Sequence, residues 1–120
     1  KQAEQLLGQG SVILFPQVEK YSYKPGTSKA IMECFAQAAA AFDHDAAFDR
    51  LVIIGGETSQ GVLRQFGVEH LQLGRALEPG VAQGLMLDGC FAGREFALKG
   101  GSMGREDTLE KMLCRKEVIY

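Results

Sequence analysis

Two short runs of apolar residues predict buried strands. In residues 11–15, Ser-Val-Ile-Leu-Phe, four hydrophobic side chains follow one another without a polar break, and Pro16 ends the run. Residues 51–54, Leu-Val-Ile-Ile, form a second run of the same kind. A continuous apolar run of this length indicates a strand that is covered on both faces, as in a parallel sheet.

Three longer segments carry apolar residues at spacings of three and four, which places their side chains on one helix face. A helix capped by Thr27 or Ser28 has an inner face made of Ile31, Phe35, Ala38, Ala39 and Phe42. Another helix follows residues 51–54 and ends at Gly67. Its inner face consists of Val62, Leu63 and Phe66. The last opens at Glu106 and Asp107, and its inner face consists of Leu109, Met112 and Leu113.

The remaining pattern predicts three further strands and completes the fold class. Residues 68–73 alternate imperfectly and indicate one strand, and residues 85–87 and 95–98 flank a glycine-rich turn in the manner of a β-hairpin. Strands that alternate with helices imply an α/β fold. We therefore expect a mostly parallel or mixed sheet with flanking helices and an inserted β-hairpin, in a single domain over residues 1–120.

Composition narrows the classes of function. The chain is 46% hydrophobic and 23% charged, and its net charge of −2 provides no overall basic surface for a nucleic acid. No apolar run approaches the roughly 20 residues that a membrane-spanning helix needs. The three cysteines, at positions 34, 90 and 114, form no Cys-x-x-Cys pair. This pattern predicts reduced thiols in a cytoplasmic protein rather than a disulfide framework or a zinc site.

The first residues predict that the chain is the C-terminal part of a longer protein. Residues 2–7 have the pattern of a helix that begins at once, with no capping residue before it, and Gly8 or Gly10 would end that helix. The start does not resemble a signal peptide, because no charged segment is followed by an apolar stretch. A processed but complete protein is the alternative.

Glycine is in excess, with 15 residues in 120, where average usage predicts about 8. Two clusters each come after a predicted strand and before a predicted helix: Gly55-Gly56-Glu57-Thr58-Ser59 and Lys99-Gly100-Gly101-Ser102-Met103-Gly104. The free N–H groups of a helix start favour an anion, and glycine lets a phosphate approach the backbone. The hydroxyls of Thr58, Ser59 and Ser102 and the charge of Lys99 add donors. Neither cluster matches a Walker A motif or a Rossmann fingerprint, so tight turns and an anion or nucleotide site both remain open.

Three motifs in this order resemble one family. They are residues 51–59, the turn Pro79-Gly80-Val81, and residues 98–104, and the most specific string is Gly55-Gly56-Glu57-Thr58. Together they resemble the C-terminal nucleotide-binding domain of the four-carbon acid sugar kinases, over residues 11–111. Some members of that family carry the label of Hrp-dependent type III effector.

The resemblance implies the ATP-binding domain of a kinase that phosphorylates a hydroxyl of a small sugar acid, a tetronate or 3-oxo-tetronate. It implies that Gly55, Gly56, Glu57, Thr58 and Ser59 face the nucleotide phosphates. The opposing loop would be formed by Lys99, Gly101, Ser102 and Gly104. Gly80 would shape the wall, and Glu57 would hold a hydrated Mg²⁺ between phosphates. The family's sugar-acid-binding N-terminal domain, with its Asp-Asp-rich start, does not occur in this sequence, so the chain alone is expected to be inactive.

The sequence departs from the family at two places. The family usually has Lys-Ser-Gly-Asn-Phe-Gly where this chain has residues 99–104, and Pro-Gly-Val-Pro where this chain has residues 79–82. Gly101 and Gly104 are retained. These differences leave two alternatives open, a non-catalytic nucleotide-binding, anion-binding or interaction module, including an effector-like protein, and a domain that keeps the fold without ATP affinity. Self-association into a homo-oligomer is compatible with all of these functions.

Other chemical candidates have simpler structural interpretations. Residues 43–45, Asp-His-Asp, with Asp49 could bind a metal, but a solvated helix end is the favoured interpretation. His70 is expected to be a half-buried structural histidine. The tyrosines of residues 19–24 could stack on an adenine or a nucleic acid base, and a self-packed surface loop is favoured. Cys90 and Cys114 show no sign of special reactivity.

Overall fold

The structure is a computed structural model that describes residues 2–7, 10–15, 27–42 and 48–114. Its helices are α1 (Gln2–Leu7), α2 (Thr27–Ala40), α3 (Gly56–Gln65) and α4 (Thr108–Cys114). Its strands are β1 (Arg50–Ile54), β2 (Leu71–Leu73), β3 (Val81–Met86) and β4 (Glu95–Lys99). None of the helices in these ranges combines the length and apolarity that crossing a bilayer requires.

The four strands form one mixed sheet in the order β1-β4-β3-β2. β1 and β4 run parallel, with Ile54 opposite Lys99, whereas β3 pairs antiparallel with both β4 and β2. The β3–β4 pair is the predicted hairpin, and helices flank the sheet, so the predicted α/β class is confirmed. The parallel pair matters for the site, because it brings the carboxyl ends of β1 and β4 to the same edge of the sheet.

The larger core lies on the face of the sheet that packs against α2 and α3. Ile53, Met86 and Phe96 of the sheet meet Val62 and Phe66, which extend from α3 and its C-terminal end. All five side chains are buried. The spacing of apolar residues along α3 therefore identified the correct inner face, and burial of this face fixes the start of α3 over the end of β1.

The opposite face carries a smaller core in which Val81 and Ala97 pack with Met112 of α4. Beside it, the nearly buried Arg50 donates from Nε and Nη2 to Glu95 Oε2, at 3.0 and 2.5 Å. Arg50 Nη1 also donates to the Met112 carbonyl, at 2.9 Å. A charge-assisted bridge thus fastens α4 to the parallel strand pair, and α4 is the helix that follows the second glycine cluster.

Two strand predictions need correction. Residues 11–15 lie in no sheet, and the side chains of Ile13, Leu14 and Phe15 are exposed, Phe15 to 75%. An apolar run favours extended backbone, but a strand also needs a partner for its N–H and C=O groups, and the pattern does not name one. The strand predicted over residues 68–73 is only Leu71–Leu73, because the N–H groups of the two preceding residues donate to the Asp88 side chain.

The predicted helices are all present. α4 begins at Thr108, after the predicted opening at Glu106 and Asp107, and α1 occupies the first residues as expected. Residues 43–45, and the loop that contains Tyr21 and Tyr23, lie outside the described residues.

Candidate functional site

The two glycine clusters lie side by side at one edge of the sheet. The first follows β1 and the second follows β4, and these strands are parallel neighbours. The N–H of Gly55 donates to the carbonyl of Lys99, at 2.8 Å, and this bond joins the two clusters. Segments that are more than 40 residues apart in the sequence therefore form one continuous surface at the carboxyl ends of the strands, which is where α/β sheets bind ligands.

The first cluster presents the amino-terminal end of α3, a helix of ten residues. Gly55 is its N-cap, with φ of 106°, a conformation that favours glycine, and no side chain caps the helix. The backbone ladder begins where the Ser59 N–H donates to the Gly55 carbonyl, at 2.9 Å. The N–H groups of Gly56, Glu57 and Thr58 precede that bond, so they stand at the positive end of the helix dipole.

The side chains of the first cluster divide into outward and inward groups. Glu57 is exposed and Thr58 is half-buried. The buried Ser59 turns its hydroxyl inward and donates to the Gly55 carbonyl, at 2.7 Å. Ser59 therefore stabilises the turn with its proton, and only a hydroxyl lone pair remains for another partner.

The second cluster is organised by Lys99. The Lys99 ammonium donates to the carbonyls of Gly100, at 2.8 Å, and Gly101, at 3.3 Å. Gly104 has φ of 95°, and a Cβ at this position would lie 2.8 Å from Thr108 Oγ1 and 3.0 Å from Lys99 Cε. The backbone conformation and the close neighbours of position 104 thus require glycine. Gly101, by contrast, is exposed and has nothing within 4 Å of a Cβ position.

Gly80 joins the site through Met103. The turn at Gly80 has φ of 84°, and an added Cβ would lie 2.6 Å from Met103 Cε. A Cβ on Gly100 would lie 3.1 Å from Met103 Cγ. The Met103 side chain therefore rests on two glycines, one from the turn before β3 and one from the second cluster. The exposed Ser102 precedes Met103 in this loop.

Between the clusters lies an open cleft of about 530 Å³. Its apolar wall is made of Leu63, Ala76, Val81, Ala82 and Leu98, and its remaining lining residues are Gly56, Ser59, Gln60, Gly80, Lys99 and Gly100. Among the described residues that line the cleft, Lys99 alone carries a charge. The cleft therefore combines an apolar wall with a cation and a helix start, a combination suited to a planar group that bears an anion.

A smaller opening of about 290 Å³ lies on the other side of the first cluster. It is lined by Ile31 of α2 together with Gly55, Gly56, Glu57 and Thr58. Gly56 lines both the cleft and this opening. A ligand that lies in the cleft can therefore reach the smaller opening across the surface of Gly56, where a side chain would stand in its way.

A polar anchor that the sequence did not indicate holds the second cluster in place. The buried Thr108 hydroxyl donates to Glu78 Oε1 and accepts from the Arg105 N–H, at 2.6 Å in the latter case. Lys111 Nζ lies 3.8 Å from Glu78 Oε2. The anchor ties the end of the second cluster to the turn that contains Gly80. The adjacent Pro79 and Gly80 were the only signal that could have drawn attention to Glu78.

His70 lies outside the cleft, and the expectation of a half-buried histidine is wrong. Its side chain is 73% exposed, and Nδ1 lies 2.7 Å from Asp88 Oδ2. The hydrogen bond with Asp88, and then its charge, raise the pKa of His70 above the ordinary value of 6.5. The hydrogen bond with His70 in turn lowers the pKa of Asp88 below its ordinary value of 3.8.

Glu69, His70 and Asp88 are the group of potential metal ligands found within the described residues. Asp88 Oδ1 already accepts from the N–H groups of Glu69 and His70, at 2.7 and 3.1 Å. With both carboxylate oxygens used in this way, the group closes the β3–β4 turn onto the segment before β2. The acidic cluster predicted at residues 43–45 lies outside the part of the chain that the structure describes.

The sequence pointed to most of the polar rim and missed the apolar wall. Ser59, Gly80 and Lys99 line the cleft, Gly55, Glu57 and Thr58 line the smaller opening, and Gly56 lines both. Gly101, Ser102 and Gly104 line neither opening and belong to the second cluster. Leu63 had been assigned to the helix core, and Ala76 and Ala82 carry no signal of their own. Only the packing of α3 beside the turn before β3 turns these small apolar residues toward one cleft.

Comparison with known proteins identifies the family to which the chain belongs. A family model described as a nucleotide-binding C-terminal domain matches residues 12–109. The 3-oxo-tetronate kinase of Pectobacterium atrosepticum is 31% identical over 91 residues, which cover 76% of this chain and 20% of the kinase. The 3-oxo-tetronate kinase of Burkholderia multivorans is 39% identical over 64 residues, covering 53% and 14% respectively. The chain therefore spans about a fifth or less of the length of these relatives.

Solved structures show the same fold. Two crystal forms of a domain of unknown function from Bordetella bronchiseptica, a domain-swapped dimer with bound citrate, superpose with TM-scores of 0.60 and 0.61. They are 23% and 20% identical, and the matches cover 83% and 92% of this chain, and 25% and 28% of the crystallised chain. The family model, the kinase relatives and the shared fold agree with the motif resemblance. The chain belongs to the family of nucleotide-binding C-terminal domains, and its relatives include 3-oxo-tetronate kinases.

Proposed function

We propose that this chain is the ATP-binding domain of a kinase that phosphorylates a four-carbon sugar acid. The observation that carries the proposal is the meeting of three features at one sheet edge. These are the free amides at the start of α3, the Lys99 ammonium, and an apolar cleft between them. An ATP molecule needs all three, because it joins an apolar planar base to a chain of negative charges.

In the proposed complex, the base lies along Leu63, Ala76 and Leu98 in the cleft. The phosphates lie over Gly56 and meet the amides of Gly56, Glu57 and Thr58, with Gly55 and Ser59 shaping the turn from behind. Lys99 exchanges its bonds to the loop carbonyls for a phosphate, which a flexible ammonium can do by rotating its stem. Gly80 forms the facing wall, and Gly101, Ser102 and Gly104 form the loop that closes on the phosphates.

Mg²⁺ fits the smaller opening. The exposed Glu57 carboxylate and the Thr58 hydroxyl both line that opening, next to the amides that would bind the phosphates. Oxygen ligands of this kind suit Mg²⁺, which keeps several waters and is usually held by one or two carboxylates and the substrate phosphates. We assign Glu57 the role of holding the hydrated ion, which when bound neutralises charge on the transferring phosphoryl group.

The sugar acid is proposed to bind to a separate N-terminal domain. The described residues that line the cleft include no carboxylate or imidazole that could take a proton from a sugar hydroxyl. The relatives are 3-oxo-tetronate kinases several times longer than this chain. We therefore assign residues 1–120 to a single nucleotide-binding domain, and the catalytic base and the selectivity for a tetronate or 3-oxo-tetronate to the partner domain.

A titration with Mg-ATP and with adenosine tests the proposal. At 100 times the dissociation constant, ATP should stabilise the folded chain by about 2.7 kcal/mol, seen as a rise in melting temperature. Lys99→Ala should lower the affinity for ATP about tenfold, or about 1.4 kcal/mol of binding free energy, and leave the affinity for adenosine almost unchanged. The reason is that only the phosphates contact the ammonium group.

Arg64→Ala is the matched control, because Arg64 is an exposed cation in the last turn of α3 and is not among the residues that line the cleft. Its ATP affinity should equal that of the unchanged chain. Absence of any ATP effect at millimolar concentration would contradict the proposal. A response to inorganic phosphate or citrate without a response to ATP would favour the anion-binding module instead.

A further inference from the structure

The four methionines differ sharply in their access to solvent. All four lie in the described part of the chain, and Met86 and Met112 are fully buried while Met32 is half-buried between α2 and α3. Met103 is 46% exposed. Met103 is therefore the most exposed of the four methionines and the one that a small oxidant in solution is expected to reach first.

Met103 also supports the wall of the cleft. Gly80 and Gly100 both line the cleft, and both are so close to Met103 that neither could carry a Cβ without displacing it. The Met103 side chain thus fills the space between the turn before β3 and the second glycine cluster. Because it acts through these two glycines rather than by touching the cleft, Met103 is a positioning residue.

We propose that Met103 is an oxidation-sensitive positioning residue, at which conversion to the sulfoxide by a peroxide opens the cleft and weakens nucleotide binding. The inference rests on the proposed function for its ligand. Its structural basis is independent and consists of the exposure of the Met103 side chain and the position of its carbons beside two cleft-lining glycines.

The chemistry needs only hydrogen peroxide as oxidant. A sulfur lone pair attacks one peroxide oxygen, an S–O bond forms as the O–O bond breaks, and the second oxygen leaves as water after proton transfer. Sulfur is oxidised by two electrons and the peroxide is reduced by two. The product carries a polar oxygen on a side chain whose carbons lie beside Gly80 and Gly100, and turning this oxygen to solvent shifts the side chain away from the two glycines.

The test compares ATP affinity before and after limited peroxide treatment of the 120-residue chain. Peptide mass mapping verifies one added oxygen on Met103, and circular dichroism verifies that the treated protein is folded. We expect the dissociation constant for ATP to rise about tenfold, because the oxidised side chain no longer packs beside the two glycines that line the cleft. Methionine sulfoxide reductase should restore the original affinity.

Two variants keep the inference independent of other oxidisable groups. Met103→Leu retains an apolar side chain and every cysteine, so its ATP affinity before and after peroxide treatment should be the same. Met103→Gln places a polar side chain of similar length at this position. Without any oxidant, it should have the same lowered ATP affinity as the oxidised protein.

Three results would each overturn a particular claim. Loss of affinity on oxidation that Met103→Leu also suffers overturns the inference, since another residue is then responsible. Intact ATP binding by the protein oxidised at Met103 overturns it as well. Untreated protein that binds no ATP overturns the proposed function and the inference together.

Discussion

At the scale of single residues, the glycines of the two clusters serve different purposes. Gly55 and Gly104 have φ of 106° and 95°, so their backbone conformations favour glycine whether or not a ligand binds. Gly56 and Gly101 have no positive φ, and nothing lies within 4 Å of a Cβ at either position. Neither the backbone conformation nor the packing requires glycine at these two positions. A substitution there can therefore test whether a bound ligand requires glycine.

Alanine at Gly56 or Gly101 should therefore leave stability unchanged or raise it by about 0.4–1 kcal/mol, because the unfolded chain loses freedom. If phosphates pass over these residues, ATP affinity should fall about tenfold or more in the folded variants. Calorimetric titration measures the affinities of each variant for ATP and for adenosine.

Gly61→Ala is the control for these variants, since Gly61 lies further along α3 and its Cβ would make an ordinary contact with Met32 at 3.4 Å. Its ATP affinity should not change. Folded Gly56→Ala and Gly101→Ala proteins with unchanged ATP affinity would show that the phosphates lie elsewhere.

The His70–Asp88 pair predicts a defined pH dependence. The pKa of His70 is raised, so its contribution to stability is complete below the unfolded value near 6.5 and is lost as pH rises through the folded pKa. The pKa of Asp88 is lowered, so its contribution is present above the unfolded value near 3.8 and is lost as pH falls through the folded pKa. The pair thus stabilises the fold most between the two unfolded pKa values, from about pH 3.8 to about pH 6.5.

Asp88→Asn should return the pKa of His70 toward 6.5, because the charge and the strongest acceptor are removed. The His70 ring protons, followed by NMR across a pH titration, report this change directly. Asp107→Asn, a substitution in the loop before α4, should leave the His70 titration as it was. A His70 pKa that is insensitive to Asp88→Asn would mean that the pair does not form.

At the scale of elements, the site depends on which strands are neighbours. Placing β4 beside β1 in parallel brings the glycine clusters together, and the hairpin places β3 so that the turn at Gly80 closes the cleft. The sheet continues to β2 only because Gly84 has no side chain. A Cβ at Gly84 would lie 1.8 Å from the Gln72 carbonyl oxygen.

Gly84→Ala should therefore destabilise the domain by about 1–3 kcal/mol, as an overpacked core position does. Urea unfolding measures the loss, and hydrogen exchange should show faster exchange in Leu71–Leu73, whose pairing with β3 would be forced apart. Gly101→Ala, at an open position, serves as the control for the substitution itself. Unfolding of Gly84→Ala at the same urea concentration as the unchanged chain would refute the close approach.

At the scale of the whole molecule, the described residues that line the cleft supply an apolar wall and one cation, Lys99, but no carboxylate or imidazole that could act as a base. It spans about a fifth or less of the length of the 3-oxo-tetronate kinases that it resembles. Under the proposed function, one domain binds ATP and a second domain is needed to transfer its phosphoryl group, so we expect this chain to bind ATP without transferring the group.

The purified 120-residue chain, incubated with Mg-ATP and a 3-oxo-tetronate or tetronate, should yield no phosphorylated sugar acid by mass spectrometry. Positioning of the second substrate supplies much of the rate in phosphoryl transfer, and the part of the protein proposed to do so is a separate domain. ATP binding measured on the same sample is the control that the domain is folded. Detection of the phosphorylated product would contradict the two-domain proposal.

Local features could be predicted from the sequence because their causes are local. The helical spacing identified the inner faces of α3 and α4, and that of α2 except for the exposed Ala38. The strand that became β1 is evident from four consecutive apolar residues. The glycine clusters at strand ends, with Lys99 in one of them, fitted both tight turns and an anion or nucleotide site. The order of motifs indicated the family, because backbone approach and helix starts need particular residue types at particular positions.

What only the tertiary structure decided are the pairings between distant segments. Residues 11–15 have the apolar pattern of a strand and yet lie outside the sheet, since pairing requires a partner that the pattern cannot name. The packing of Met103 beside Gly80, the Glu78–Thr108 anchor and the apolar wall of the cleft all join residues far apart in the chain. Such contacts depend on strand order and on how the helices pack, and these are properties of the complete fold rather than of any one segment.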